Sequence, residues 1–149
     1  MKRSVLFSAC IAFAVTLLAI LLSGCGGKGV DFNTWAGSYT GTATLDNNKS
    51  STLHLTSDSS GIVAGTMVVT GADGTDSDFK FTAGTYNVTG SITSTSGGFT
   101  VSGAVPNMGN FFIRGQFPTD GSTTEYRIGT EASTTYPTSL TYTGTLSMN

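Results

Sequence analysis

The feature of this sequence that most restricts its fold is a strict alternation of apolar and hydroxyl-bearing residues, renewed in one short run after another from Gly37 to the C-terminus. Successive side chains of a strand point to opposite faces, so a period of two gives each run one apolar face and one polar face. In the first run Tyr39, Gly41, Ala43 and Leu45 share a face, and Ser38, Thr40, Thr42 and Thr44 share the other. The same rule sets Leu53 and Leu55 against His54, and Val63, Met67 and Val69 against Thr66 and Thr70. It continues through Tyr86, Val88 and Ile92; Phe99, Val101 and Val105; Phe111, Ile113 and Phe117; Tyr126 and Ile128; and Leu140, Tyr142, Leu146 and Met148. With a short run at residues 79–81, where Phe79 and Phe81 enclose Lys80, nine candidate strands are counted. Composition agrees: the 125 residues after Gly24 include 25 Thr, 15 Ser and 19 Gly but only 14 charged residues. That mixture favours strands and turns and excludes an all-α fold.

Turn chemistry separates the runs every ~8 to 12 residues, as in all-β sandwiches and barrels. Examples are Asp58-Ser59-Ser60-Gly61, Ser96-Gly97-Gly98 and Pro118-Thr119-Asp120-Gly121, and connections this short make neighbouring strands antiparallel. At Ala83-Gly84 the inward parity changes from odd to even, which calls for a tight turn or a bulge. Glycine recurs at mid-run on the apolar face, at Gly41, Gly65, Gly90, Gly103, Gly115 and Gly144. Glycine there marks a bend or a close approach to the backbone, and repetition around a sheet implies curvature. The first and last runs are near-copies, Ser38-Tyr39-Thr40-Gly41-Thr42 and Thr141-Tyr142-Thr143-Gly144-Thr145, as suits strands that pair to close a barrel. The expected fold is therefore all-β: one antiparallel up-and-down (meander) barrel of about 8 to 10 strands. The alternative is a two-sheet β-sandwich.

The N-terminus has a different character. Met1-Lys2-Arg3 is a short positive region, and residues 5–22 are apolar apart from Ser8, Cys10 and Thr16, the layout of a secretory signal. Leu22-Ser23-Gly24-Cys25 follows, and this stretch resembles the lipobox of bacterial lipoproteins at all four positions. The resemblance implies that the signal is cut between Gly24 and Cys25, and that Cys25 carries a diacylglyceryl thioether. Two or three acyl chains, at about 0.8 kcal/mol per buried methylene, meet the need for more than one anchoring signal. The chain then divides into a lipoprotein signal peptide (1–24), a lipidated Cys and flexible tether (25–34) and a β-barrel domain (35–149). Residue Gly26, after the lipidated position, is not Asp; in a host with two membranes the resemblance implies the outer membrane.

A second resemblance lies at the start of the domain, where Trp35-Ala36-Gly37-Ser38-Tyr39 looks like the opening motif of lipocalin- and avidin-type small barrels. It implies that Trp35 and Tyr39 form a plug closing one barrel end. With one Trp in the chain, the aromatic box of the biotin binders cannot be assembled.

Little in the chain points to catalysis. His54 is the only histidine, and alternation turns it outward, away from any sheltered nucleophile. The two cysteines, Cys10 and Cys25, both belong to the signal or its end, which excludes a disulfide scaffold or thiolate metal site in the domain. Asp73, Asp76 and Asp78 are a weak calcium candidate, although Asp beside Gly is ordinary turn chemistry. No cofactor is expected. After the signal five basic residues face nine acidic ones, a net charge of −4 without a basic run, so no nucleic-acid partner is expected. Glu125 and Arg127 lie two apart on one outer face, with Arg114 a cross-strand candidate; exposed pairs of this kind contribute about 0–1 kcal/mol.

The expected partners are the membrane, through lipid on Cys25, and either a small apolar ligand or an envelope protein. An eight-stranded barrel is just wide enough to fill with side chains or to hold one small molecule. Tyr86, Phe111, Tyr126 and Tyr142 are the ligand-binding candidates if the barrel is hollow. The expected function is a lipid-anchored, non-enzymatic small-molecule-binding or interaction barrel of the cell envelope. The alternative is a structural lipoprotein docking an envelope protein or cell-wall polymer, with no small ligand.

Overall fold

The computed structural model describes residues 30–45, 49–71, 81–106, 109–119, 121–129 and 140–149, with backbone only at 140 and 141. Cys25, the signal, the Asp73, Asp76 and Asp78 group, Phe79 and Lys80 lie outside these residues. The compact unit runs Asp31–Asn149 and carries every strand and the whole core cluster. A short 3-10 helix, Phe32–Trp35, leads into β1 (Gly37–Thr44), β2 (Ser50–Ser57), β3 (Ile62–Thr70) and β4 (Gly84–Ile92). There follow β5 (Gly98–Val105), β6 (Gly109–Gln116), β7 (Thr123–Gly129) and β8 (Leu140–Met148). Each strand pairs antiparallel with the next, and β8 pairs with β1, which closes an eight-stranded up-and-down barrel.

Closure follows from the similarity of the first and last strands. Gly41 faces Leu146, Thr42 faces Thr145 and Ala43 faces Gly144, so apolar meets apolar and hydroxyl meets hydroxyl across the seam. Closing the seam removes both sheet edges, the open template that a sandwich would leave. Alternation sorts the faces as expected: Leu53, Leu55, Val63, Met67, Val101, Ile113 and Ile128 are fully enclosed, while His54 is exposed between Thr40 and Thr66. Met148, the last residue of β8, departs from the pattern and is 42% exposed.

Two local features lie between β3 and β4. Among the described residues the barrel has eight strands and β3 pairs directly with β4; Phe79 and Lys80 of the short candidate run lie outside the described residues, and Phe81 enters the core between those two strands. At Ala83-Gly84 the structure takes the turn and not the bulge: the chain bends at Ala83 and Gly84 begins the strand. The ladder irregularity lies instead at Ile128/Gly129, between β7 and β8.

The core is stacked in three aromatic groups. At the end nearest the 3-10 helix, Phe117 stacks between Tyr39 (centroids 4.2 Å apart) and Phe99 (4.5 Å). Midway, Tyr126 lies against Gly41, Gly115 and Gly144. Towards the other end Phe81, Tyr86 and Phe111 meet edge to face at 5.2–6.0 Å, the arrangement favoured by ring quadrupoles.

Candidate functional site

The helix end is built from sequence signals that act locally. The Asp31 carboxylate accepts from the Asn33 amide at 3.0 Å and starts the 3-10 turn. Folded structure thus takes in Phe32 to Thr34, ahead of the expected domain start at residue 35. Phe32 then rests on Gly61 and Trp35 on Gly97, where an added Cβ would come within 3.0 and 2.8 Å of the rings. Both glycines have positive φ, +82° and +81°, so each supplies a turn that other residues resist and a flat seat for an aromatic ring. The Tyr39 hydroxyl donates to the Trp35 carbonyl at 2.8 Å, tying the helix to β1. Trp35 and Tyr39, the two plug candidates, are thus joined in one buried contact; burial pushes the Tyr39 pKa up.

Tyr86, Phe111, Tyr126 and Tyr142, the four ligand candidates, all line the interior and are buried. Phe111 and Tyr126 occupy the spaces that inward glycines leave. A Cβ on Gly103 would come within 2.6 Å of the Phe111 ring, and one on Gly41 within 2.7 Å of Tyr126; one on Gly144 would overlap Tyr126 outright. At Gly65 and Gly90 the obstacle is the cross-strand backbone, the carbonyls of His54 and Thr100. The mid-strand glycines therefore bring rings and backbones together, which leaves the interior packed at these positions.

The interior also holds polar groups that sequence reading passed over. Lys49, Ser51 and Ser57 share the inward parity of Leu53 and Leu55 and are buried; that parity was the available signal. Lys49 Nζ donates to the Phe81 carbonyl at 2.8 Å and fastens the β3–β4 connection over the core. Neither the Ser51 nor the Tyr126 hydroxyl meets a partner in hydrogen-bonding geometry. Burial pushes the Tyr126 pKa up to about 12, and the Ser51 hydroxyl, the lesser influence, acts against that rise.

Concavities open on the outer surface among the described residues, and two bear on the site. The smaller, about 460 Å³, lies where β4 and β5 part: their registered pairing ends at Thr89 and Ser102, and Thr82, Tyr86, Asn87 and Ala104 line the gap. The Tyr86 hydroxyl closes its floor by donating to the Thr82 carbonyl at 2.7 Å.

The larger concavity, about 740 Å³, spans the outer faces of β5, β6 and β7 and the β4–β5 turn. Arg114 stands directly opposite Arg127 in the β6–β7 register and opposite Thr100 in the β5–β6 register. Arg127 Nε donates to Glu125 Oε1 at 2.8 Å, with both side chains about half exposed. Gln116 Nε2 donates to the Ser96 carbonyl at 2.8 Å, and the Thr124 hydroxyl donates to the Gln116 carbonyl, bracing the rim. Among the described residues no group of three His, Cys, Asp or Glu is placed to hold a metal ion. No family model, curated protein or solved structure matches the chain.

Proposed function

We propose that this chain is an exported lipoprotein of the cell envelope, anchored by lipid on Cys25, whose barrel is a non-enzymatic interaction module working from its outer surface. The observation that carries this reading is the packing of Tyr126 and Phe111 into the hollows beside Gly41, Gly144 and Gly103. A barrel whose inward glycines are already occupied favours a surface role over enclosure of a small ligand. The anchor half of the reading rests on the four-position lipobox match and the apolar segment before it. In a host with two membranes the reading places the anchor in the outer membrane. A single rigid closed sheet without edges suits a docking body, because it offers fixed loops and faces and no strand template for aggregation.

Two measurements test the proposal. Metabolic labelling with palmitate should mark the full chain, and Cys25→Ala should abolish the label. Native mass spectrometry of the chain from Gly26, exported and purified gently, should return the bare mass. A defined small molecule lost on denaturation would overturn the surface reading in favour of an enclosed ligand.

A further inference from the structure

We infer that the helix end of the barrel docks on the surface of a zwitterionic bilayer, with Ile62 and Met148 entering the headgroup layer beside the lipid on Cys25. The inference rests on the anchor reading above and adds which face of the domain the membrane takes.

Chain connectivity puts this end next to the anchor. Six residues, Cys25 to Val30, precede Asp31, where the compact unit begins; six residues reach at most about 20–22 Å at full extension. Lipid on Cys25 would therefore hold Asp31, and the 3-10 helix Phe32–Trp35 that it starts, close to the bilayer. That helix crosses the barrel end from Gly61 in the β2–β3 turn, the seat of Phe32, to Gly97 in the β4–β5 turn, the seat of Trp35.

The exposed apolar groups are gathered at the same end. Among the described residues of the compact unit, the large hydrophobic side chains that stand exposed are Ile62, at 55%, and Met148. Ile62 follows Gly61 and opens β3. Met148 ends β8, and its methyl lies 3.0 Å from the place of a Cβ on Gly37, where β1 leaves the helix. Phe32 is itself only partly buried. Exposed singly, such side chains are ordinary on a folded surface; their shared position beside the anchor is what calls for an occupant, and a headgroup layer takes up apolar side chains. The outer wall around His54 offers no such grip, since it carries Thr40, Thr52, Thr56 and Thr66. Asp31 and Asp58 also stand exposed at the helix end, so the surface that fits it is zwitterionic and not anionic.

The test is ¹⁵N amide NMR of the lipid-bearing chain, isolated from membranes and placed in phosphatidylcholine nanodiscs whose headgroups carry a gadolinium chelate. Amide signals of Gly61, Ile62, Gly97 and Met148 should be lost, and those of Thr44, Lys49, Gly84 and Val105 at the opposite barrel end retained. The pattern should persist at high salt, because the contact is apolar. A tether alone would bring the helix end nearer the bilayer on average, so the decisive sample is the double variant Ile62→Thr, Met148→Gln. It keeps the β-branch of one exposed residue and the length of the other, and its dispersed spectrum shows that the barrel is intact. The double variant should recover the lost signals, and each single variant part of them. Losses spread equally over both ends, a pattern unchanged in the variants, or a pattern abolished by salt would each overturn the inference and leave the anchor standing. A chain whose mass shows no lipid on Cys25 would instead remove the anchor reading, and the docking with it.

Discussion

The ring of Tyr126 occupies the volume that a side chain at Gly144 would need. A methyl group built on Gly144 overlaps that ring and lies 2.6 Å from the Thr42 carbonyl across the closing seam. Gly144→Ala should therefore destabilise the barrel by about 1–3 kcal/mol, the usual cost of overpacking a core. Gly84→Ala, where nothing lies within 4 Å, should change stability by less than about 1 kcal/mol. Urea unfolding of the two variants beside the parent checks the contrast.

Tyr126 also makes stability depend on alkaline pH. Its folded pKa of about 12 lies above the ordinary value of 10 because burial disfavours the phenolate. A raised folded pKa contributes stability that is present below the unfolded pKa and lost as pH rises through the folded one. The loss should run between about pH 10 and 12 and amount to about 3 kcal/mol at most. Tyr126→Phe should flatten that part of a stability-against-pH curve. An unchanged curve would assign the alkaline transition to another group.

Removing both buried hydroxyls should cost little. Ser51 and Tyr126 bury their hydroxyls near one another without a well-formed hydrogen bond, so removing both together leaves neither oxygen stranded. The double variant Ser51→Ala, Tyr126→Phe should stay within about 1 kcal/mol of the parent, as when two polar partners are replaced by apolar groups of like shape. A larger loss in thermal unfolding would show that the pair holds a partner between them.

At the helix end, Tyr39→Phe deletes the bond to the Trp35 carbonyl and leaves that acceptor buried. The expected cost is about 1–3 kcal/mol. Trp35 is the only tryptophan, so its fluorescence reports this contact alone; the emission should shift to longer wavelength as water reaches the ring.

Asp58 should impose an acid limit on the β2–β3 turn. Its carboxylate accepts from the Ser60 hydroxyl at 2.6 Å and from the Ser60 and Ile62 amides at 2.9 Å each. The Ser60 hydroxyl, then the Ile62 amide, hold its pKa below the ordinary carboxylate value. A depressed folded pKa gives stability present above the unfolded pKa and lost as pH falls through the folded one. Melting temperature should fall below about pH 4 in the parent. Asp58→Asn keeps a side-chain acceptor and should lose that part of the pH dependence.

What the sequence by itself determined is local. Period-two alternation assigned inner and outer faces, and turn residues placed the short connections. The likeness of residues 38–42 to 141–145 pointed to closure, and the N-terminal motif supplied an expected address. The inward parity of Lys49, Ser51 and Ser57 was equally legible, but their burial was not, because polarity there argues for the surface. Tertiary structure decided the relations between residues far apart in the chain. It paired β1 with β8, brought Tyr126 against Gly41, and sent Phe81 into the core from outside the strands. It also set Arg114 opposite Arg127. The physical reason is that alternation encodes direction and not volume or register: a residue's face follows from its neighbours in the chain. What fills a glycine's hollow, or which charge stands opposite another, depends on how the packed strands slide past one another until their side chains fit.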